Sequence, residues 1–584
     1  MTSMASSRRR GLLCGGLAIL AAIAVAFLAP TQGYYLNIMM QAATYAIAVA
    51  GVVIVLGYCG QLALCQAAFL GIGAYFVALG TVDYGLHFFV ALALGMAATG
   101  LGGMFLGFAS MRLGGHYLAM VTIGFQMIVT MVLTNWISLT RGPDGVSGVP
   151  RPSLGFIDLS GGSTYLGLCL VFLVLVTMYV TYLKSSRLGR AMQAVRDNEI
   201  AASTCGINVF RTKTVAFGIC AALGGLGGGL FAGAFSYISP DQFTFNESIV
   251  LLTMALLGGV QSPIGALLGT VLLVLLPEWL RFLRQAYLAV YGAAVIAIMI
   301  FLPRGVWGLL TDRFFKTAPI DVGPVAPLPL LGRSSVVSEE VVLDVKDLAK
   351  HFGGLKALDG VDMQVRKGSV HALIGPNGSG KTTFLNVITG LYVATAGRVA
   401  LLGRDITGLA PHERTRLGMC RTYQNIRVFR GLTVLENVTI GAERDGNDIA
   451  GGDATIERAL AALDFVGLRS VAHLPVGDLP YGHQRYVEIA RALAGSPEIL
   501  LLDEPAAGLN MTEKGEMAGL LKRLKGHGLT IVIIDHDMKL IEQVADRMTV
   551  LNFGKRIADG EPRAVLTHPE VIAAYLGEPR HEAA

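Results

Sequence analysis

The chain has 584 residues, of which 53% are hydrophobic and 15% charged, and its formal net charge at pH 7 is +5. This length exceeds the roughly 250 residues at which a single hydrophobic core stops growing, so at least two domains are expected. The basic residues are scattered along the chain, which argues against a nucleic-acid-binding protein, and the seven cysteines form no C-x-x-C pair that would indicate a zinc site.

Apolar runs of about 20 residues recur over residues 11–310, and each is long enough for a helix to cross ~30 Å of hydrocarbon. They predict an all-α polytopic membrane domain over residues 1–316 with about 8–10 membrane segments. Arg8–Arg10 and the run after them could imitate a signal peptide, but the following spans favour an uncleaved first span. The candidate spans are 11–29, 36–57, 61–80, 86–109, 117–137, 164–183, 214–238, 247–277 and 285–302.

The weakest candidate span is 247–277, because Gly258–Pro263 interrupts a run of about 30 residues. If Arg8–Arg10 hold the N-terminus in the cytoplasm, an odd number of spans such as nine would leave the C-terminal half outside the cell. Splitting this run into two segments gives ten, an even number, and returns the C-terminal half to the cytoplasm. The split puts Arg281 and Arg284 outside, against the positive-inside rule, so a broken helix facing a cavity is the alternative. No cluster of charges within the apolar runs marks a solute pocket.

The loop 184–213 contains six basic residues against only Asp197 and Glu199, which predicts that it is cytoplasmic. Within it, Leu188–Ile207 has the pattern of a short connector helix that Gly206 closes.

Two further features are structural. The glycines at 224, 225, 227–229 and 233 lie in one span and predict close helix packing. Residues 317–340 are rich in proline, glycine and serine, which predicts an extended linker. Residues 341–580 after it have the composition of a soluble domain.

A phosphate-binding loop is predicted after the strand-like Val370–Ile374 and before the helix-like Thr383–Ile388. Its glycines let backbone N–H groups turn toward phosphates, Lys381 reaches the outer phosphates and Thr382 holds Mg²⁺. The predicted ATP-binding residues of this loop are Gly375, Pro376, Asn377, Gly378, Ser379, Gly380, Lys381, Thr382 and Thr383. The fold class expected for residues 341–580 is therefore an α/β P-loop domain that binds ATP and Mg²⁺.

Two carboxylates end the apolar run Ile499–Leu502. Asp503 is expected near magnesium, while Glu504, at the strand's exit, is expected to act as general base on the attacking water. Another strand-like run, Thr530–Ile534, ends at Asp535 and His536, which predicts that His536 touches the γ-phosphate.

The order of Lys381, Gln424, Leu479–His483, Asp503–Glu504 and His536 resembles the ATP-binding cassette family over residues 341–580. The resemblance implies that Gln424 senses the nucleotide and its metal and contacts the permease, and that Phe352 stacks on adenine. It further implies that Tyr481, Gly482 and His483 face the nucleotide of an opposite cassette, and that Ala507–Asn510 crosses the dimer interface.

The signature segment, Leu479–His483, departs from the common Leu-Ser-Gly-Gly-Gln at Pro480. Proline lacks the hydroxyl that would bond the γ-phosphate, so one hydrogen bond worth ~0.5–1.5 kcal/mol is expected to be lost while the helix dipole is retained.

A narrower resemblance concerns the substrate. The cassette half is similar to branched-chain amino-acid importer ATPases in His351–Leu358, the Tyr481–Gln484 form of the signature, Ala506–Asn510 and Ala574–Gly577. The other half is similar to that family's permeases in Leu188–Asn208, Gly114–Tyr117 and Gly142–Gly145. In that family permease and ATPase are usually separate chains, so the fusion is a departure.

The resemblance implies a multi-pass subunit of the cell inner membrane with a cytoplasmic ATP-binding domain, in contact with lipid and transporting a small-molecule solute. It also implies three partners: a second permease, a second ATP-binding cassette and a periplasmic binding protein. Urea or short amides are alternative solutes. A half-transporter exporter is the alternative transporter, although the short inter-span loops favour import, and Glu504 and His536 argue against a nucleotide-gated protein without turnover.

Overall fold

The structure is a computed structural model that describes residues 33–110, 116–153, 159–280, 290, 292–293, 296–297, 300–302, 305–314, 337–443 and 452–576. The chain divides into two compact units: a first unit of residues 1–196 and 210–317, and a second unit of residues 197–209 and 318–584. The loop 184–213, predicted to be cytoplasmic, therefore contributes residues 197–209, here called the loop segment, to the second unit. Predicted features wholly or mostly outside the described residues are Arg8–Arg10, the spans 11–29 and 285–302, Arg281, Arg284 and the linker 317–340.

The first unit is built from apolar helices, because a helix pairs its backbone polar groups within itself, as hydrocarbon requires. Within the described residues, five helices are long and apolar enough to span a membrane, and they coincide with predicted spans: Tyr34–Tyr58, Phe88–Ala109, Tyr117–Asn135, Gly162–Ser185 and Val209–Phe235. The predicted span 61–80 is a shorter helix, Gln66–Val82. A two-stranded ladder pairs β1 (Val146–Ser147) with β2 (Tyr237–Ile238), and a last helix covers Gly305–Phe314.

The interrupted run forms a hairpin of two helices, Phe245–Gly258 and Pro263–Trp279, bent by 120°. Gly259 has a φ of +112°, and Ser262 caps the second helix by accepting a hydrogen bond from the Gly265 amide. The predicted break is therefore confirmed. Counting this pair as one span brings the membrane helices of the described residues to six.

The glycine-rich helix Val209–Phe235 packs directly against its neighbours. A Cβ atom on Gly228 would lie 1.8 Å from the carbonyl oxygen of Leu70, and one on Gly225 would lie 2.2 Å from Oγ1 of Thr99. Side chains cannot fit at these distances, so the predicted role in close packing is confirmed.

The predicted single connector helix over Leu188–Ile207 is wrong. The structure has two helices, Arg187–Asp197 and Glu199–Ser203, because Asn198 adopts an extended conformation between them. Its side chain accepts a hydrogen bond from the Ala201 amide and thereby starts the second helix. Such a local bond to the backbone competes with helix continuation.

The second unit contains two sheets. A six-stranded sheet has the order β12-β11-β5-β10-β9-β8, with only β12 antiparallel to its neighbour, and a four-stranded antiparallel sheet has the order β4-β3-β6-β7. The strands are β3 (Val341–Phe352), β4 (Leu355–Arg366), β5 (Val370–Ile374), β6 (Ala396–Leu401), β7 (Arg404–Asp405), β8 (Met419–Arg421), β9 (Ile499–Asp503), β10 (Thr530–Ile534), β11 (Arg547–Asn552) and β12 (Lys555–Gly560). The central strands β5, β9 and β10 are buried along their whole length, as expected for a parallel sheet covered on both faces.

Helices cover this sheet, and the predicted fold class, a helical membrane region followed by an α/β P-loop domain, is confirmed. The helices are Lys381–Ile388, Pro411–Arg416, Val434–Ala442, Gly452–Phe465, Tyr481–Ala494, Met511–Gly526, Met538–Val544, Pro562–Leu566 and Pro569–Leu576. The loops after the carboxyl ends of β5, β9 and β10 emerge at one edge of the sheet, which is where α/β proteins bind ligands.

Candidate active site

The loop after β5 has the backbone of a phosphate-binding loop. Gly375, Gly378 and Gly380 have φ angles of +150°, +81° and +103°, which L side chains rarely adopt. A Cβ atom on Gly375 would also lie 2.1 Å from the carbonyl oxygen of Leu551. The helix Lys381–Ile388 starts directly after the loop, so its first backbone N–H groups are available for an anion.

Lys381 lies inside this loop. Its Nζ donates to the carbonyl oxygens of Gly375 at 2.7 Å and Pro376 at 2.8 Å. Burial lowers the pKa of Lys381, and the carboxylates of Glu504 and Asp503 oppose that shift. Among the other predicted loop residues, Ser379 is buried, Asn377 and Thr382 are exposed, and Thr383 is half-buried.

Gln424, Glu504 and His536, predicted as catalytic from separate motifs, are brought together. Oε2 of Glu504 accepts a hydrogen bond from Nε2 of Gln424 at 2.9 Å, and Oε1 lies 2.9 Å from Nε2 of His536. The parallel pairing of β9 with β10 sets this meeting, because it places Ile534 beside Asp503. Glu504 has a φ of +48° and its amide donates to the carbonyl of Ile534, so the strained backbone holds the carboxylate between its two partners.

Asp503 has a partner that the motifs did not predict. Arg421, at the end of β8, donates from Nη2 to Oδ2 of Asp503 at 2.9 Å, and both side chains are almost completely buried. Burial raises the pKa of Asp503, and the guanidinium of Arg421 opposes that shift. Nη1 of Arg421 also donates to Oδ1 of Asn386, in the helix that follows the phosphate-binding loop.

A buried triad joins the helix Tyr481–Ala494 to the segment around Gln424. Glu488 lies between Arg485 at 3.4 Å and Arg491 at 3.6 Å, and all three side chains are at most 3% exposed. Burial raises the pKa of Glu488, while Arg491 and Arg485 lower it. Nη2 of Arg485 donates to the carbonyl oxygen of Gln424 at 2.7 Å, and Nη1 of Arg485 donates to the carbonyl oxygen of Tyr423. The helix that begins at the signature segment thus positions Gln424.

Phe352, the predicted adenine platform, is 42% exposed at the end of β3. Its ring centroid lies 5.4 Å from that of Tyr392 in an edge-to-face arrangement, and Nζ of Lys350 lies 5.0 Å from it. A planar base can stack on such an exposed ring. Tyr392 belongs to no motif that the sequence analysis recognised, so it was not predicted to be part of the adenine platform.

The C-terminal helix Pro569–Leu576 lies beside the phosphate-binding loop. A cavity of about 490 Å³ is lined by Pro376 and Ser379 from the loop and by Glu570 and Ala573 from the helix. Burial raises the pKa of Tyr575, in the last turn of this helix, and the backbone of Gly375 opposes that shift.

The signature residues Tyr481 and His483 are exposed, whereas Gly482 is buried. A Cβ atom on Gly508 would lie 3.0 Å from the ring of Tyr481, and one on Gly482 would lie 3.0 Å from Oε1 of Glu513. Among the hydrogen bonds of the described residues, none joins Tyr481–His483 to the loop 375–382. Pro480 is the N-terminal cap of the following helix and supplies no side-chain cap bond.

The loop segment contacts the residues that flank Gln424. Oγ1 of Thr204 lies 2.8 Å from the hydroxyl of Tyr423, and Arg427 donates to Oδ1 of Asn198 at 3.0 Å. Another contact lies after Arg427 in the chain, where the Gly431 amide donates to Oδ2 of Asp197 in the loop segment at 2.6 Å. A displacement around Gln424 would therefore act directly on the loop segment.

Three family models match the chain. "Branched-chain amino acid transport system / permease component" matches residues 34–303. "ABC transporter" matches residues 358–507, and "Branched-chain amino acid ATP-binding cassette transporter" matches residues 555–581.

Similar proteins include the high-affinity branched-chain amino acid transport ATP-binding protein BraF of Pseudomonas aeruginosa, 42% identical over 41% of this chain and 98% of its own length. LivG of Escherichia coli, which has the same description, is 39% identical over 41% of this chain and 98% of its own. A crystal structure of the ADP conformation of an ATP-binding cassette of an ABC transporter is 36% identical, covers 41% of this chain and 99% of its own, and has a TM-score of 0.38.

The matches to BraF and LivG extend over almost the full length of those two proteins, and together with the ABC transporter family model they indicate ATP binding and ATP hydrolysis coupled to transport. The chain belongs to the branched-chain amino acid transport family of ABC transporters, with the permease region and the ATP-binding cassette fused in one polypeptide.

Proposed function

We propose that this chain is the fused permease and ATPase subunit of an importer that takes up branched-chain or other hydrophobic amino acids. The permease region lies in the cell inner membrane and the cassette in the cytoplasm. A periplasmic binding protein delivers the solute, and a second permease and a second cassette complete the assembly. The descriptions of the related transport ATP-binding proteins support this solute class.

The convergence of Gln424, Glu504 and His536 carries the ATPase part of the proposal. Glu504 is a hydrogen-bond acceptor held from both sides at 2.9 Å, a geometry suited to taking the proton of a water that attacks the γ-phosphate. His536 and Lys381 add donors for the charge that develops on the phosphate oxygens.

Mg²⁺ fits the residues near this site. The Thr382 hydroxyl, the Gln424 amide oxygen and the Asp503 carboxylate are hard oxygen ligands, and magnesium is commonly held by one or two carboxylates together with substrate phosphates. Arg421 occupies Oδ2 of Asp503, which leaves Oδ1 for this purpose. When bound, the ion neutralises charge on the β- and γ-phosphates.

In this proposal two cassettes close head to tail. The phosphate-binding loop of each cassette needs a signature segment opposite it, and the signature segment of the other cassette supplies it. The exposed Tyr481 and His483 then face the nucleotide held by the other cassette. The N-terminus of the helix Tyr481–Ala494 adds a favourable dipole, in the absence of a hydroxyl at Pro480.

Coupling runs through the loop segment. Tyr423 and Arg427 flank Gln424 and bond Thr204 and Asn198 of that segment. A movement of Gln424 on nucleotide binding or hydrolysis thus pulls on the segment that leads back into the helix Val209–Phe235.

Uptake in cells tests the solute and the direction. Radiolabelled leucine, urea and an aromatic amino acid are compared in cells with the chain, without it and with K381A. Loss of leucine uptake in both defective strains is expected. If the defective strains take up leucine normally but lose uptake of urea or of the aromatic amino acid, the chain is an importer of that other solute. If they lose no uptake but accumulate a compound inside the cell, the exporter is favoured.

A further inference from the structure

Two glutamates share one cavity of the first unit, where the sequence indicated no charge cluster. The cavity has a volume of about 480 Å³, and Glu247 and Glu278 both line it. They are far apart in sequence, but the helix hairpin brings the start of Phe245–Gly258 and the end of Pro263–Trp279 to the same side. The sequence does not show this pair, because the hairpin, and not a local motif, brings the two residues to one cavity.

Neither carboxylate has a cationic partner within the described part of the chain. The Tyr34 hydroxyl donates to Oε1 of Glu278, and Tyr45 lines the same cavity as Glu247. An acidic side chain among membrane helices costs about 2.5–3.5 kcal/mol on insertion scales, and such residues commonly mark solute or ion pathways. Two of them in one cavity leave room for a positively charged group of a ligand.

The remaining wall of the cavity is of mixed character. Val250, Met254 and Leu273 present apolar surface, while Asn37 and Gln41 add amide groups. Small-molecule sites typically have such an apolar lining with a few convergent polar groups, in volumes of about 300–1,000 Å³. A ligand with an ammonium group and an apolar side chain matches both parts.

The cavity lies at the end of the helices away from the cytoplasmic loop. At the other end, Lys184 donates to the carbonyl of Gln261 in the hairpin turn at 3.1 Å, and Arg196 donates to the carbonyl of Gly57 at 2.7 Å. Both basic residues belong to the loop that the positive-inside rule places in the cytoplasm. Tyr34 and Glu278 are at the opposite ends of their helices, so the cavity faces the external side.

We propose that this cavity, here called the two-glutamate cavity, is an external acceptor site for a hydrophobic amino acid. Glu247 and Glu278 receive the ammonium group, and the wall formed by Val250, Met254 and Leu273 receives the apolar side chain. This proposal rests on the proposed import function and adds a site within the membrane region.

Binding to the purified full chain in lipid nanodiscs tests the site. Tritiated leucine is competed with 3-methylbutylamine, which keeps the ammonium group, and with 4-methylpentanoate, which keeps the carboxylate. The amine is expected to compete at least tenfold better than the acid. E247Q and E278Q are each expected to weaken leucine binding at least tenfold, E247D to retain it within about threefold, and the exposed-site control E339Q to leave it unchanged.

Equal competition by both compounds, normal binding by both Gln variants, or no leucine binding to the native chain would overturn the site. Unchanged gel-filtration elution and thermal unfolding establish that the variants are folded. Leucine uptake by the same variants in cells separates the two proposals. Normal uptake with E247Q and E278Q discards only the cavity, whereas absence of uptake with the native chain discards the import function.

Discussion

Arg485 provides the sharpest test of how the helix Tyr481–Ala494 positions Gln424. In R485M, Glu488 keeps only Arg491 as a charged partner, and two backbone carbonyls lose the guanidinium that they accept from. Breaking a buried ion pair by removing one partner typically costs about 3–5 kcal/mol. We expect a loss of that size, because all three side chains are at most 3% exposed.

For a domain of 150–250 residues, each kcal/mol corresponds to about 2–4 °C in Tm, so the predicted decrease is roughly 6–20 °C. Calorimetry of the purified full chain measures it, on the transition that added ATP shifts upward. R366M is the matched control, since Arg366 forms an exposed pair with Glu339, and exposed pairs contribute about 0–1 kcal/mol.

The double variant R485M/E488Q tests the electrostatic cause. Removing both charges leaves less uncompensated charge than removing one, so its cost is predicted to be smaller than the sum of the two single costs. A Tm of R485M within about 2 °C of R366M, or strictly additive costs in the double variant, would refute the role of the triad.

Two further predictions concern the second unit. Burial lowers the pKa of His371 to about 4, so the folded form binds fewer protons than the unfolded form, and about 3 kcal/mol of stability present above pH 6.5 is lost as the pH falls toward 4. Thermal unfolding of H371Q between pH 7 and 4.5 should show a correspondingly smaller loss than the native chain, and equal losses would contradict this. E504Q should lower ATPase kcat by about 10²–10⁴ with ATP binding retained, as measured by single-turnover kinetics and nucleotide binding, and near-normal turnover would remove Glu504 as general base.

The phosphate-binding loop and its flanking strands were predictable because they depend on local pattern. The run Val370–Ile374 reads as a buried strand, and the glycines after it have positive φ angles that few other residues adopt. The ends of β9 and β10 were predictable for the same reason, and parallel pairing then brings Glu504 to His536.

Residues that act through long-range packing were not predictable. Arg421 meets Asp503 only because β8 and β9 are neighbours in the sheet. Arg485, Glu488 and Arg491 repeat at helical spacing among apolar residues, a signal that could have indicated buried charges, but their contacts with the Gln424 segment need the fold. Asn198 likewise breaks a helix through one side-chain bond to the backbone.

Transport into liposomes tests the central claim most directly. The full chain is reconstituted with its second permease and second cassette, with ATP and Mg²⁺ on the cassette side and leucine with the binding protein on the other side. The account predicts that leucine accumulates on the cassette side against its gradient, and that K381A and E504Q abolish this accumulation. Leucine movement that needs ATP binding but continues in E504Q, or movement in the opposite direction, would contradict it.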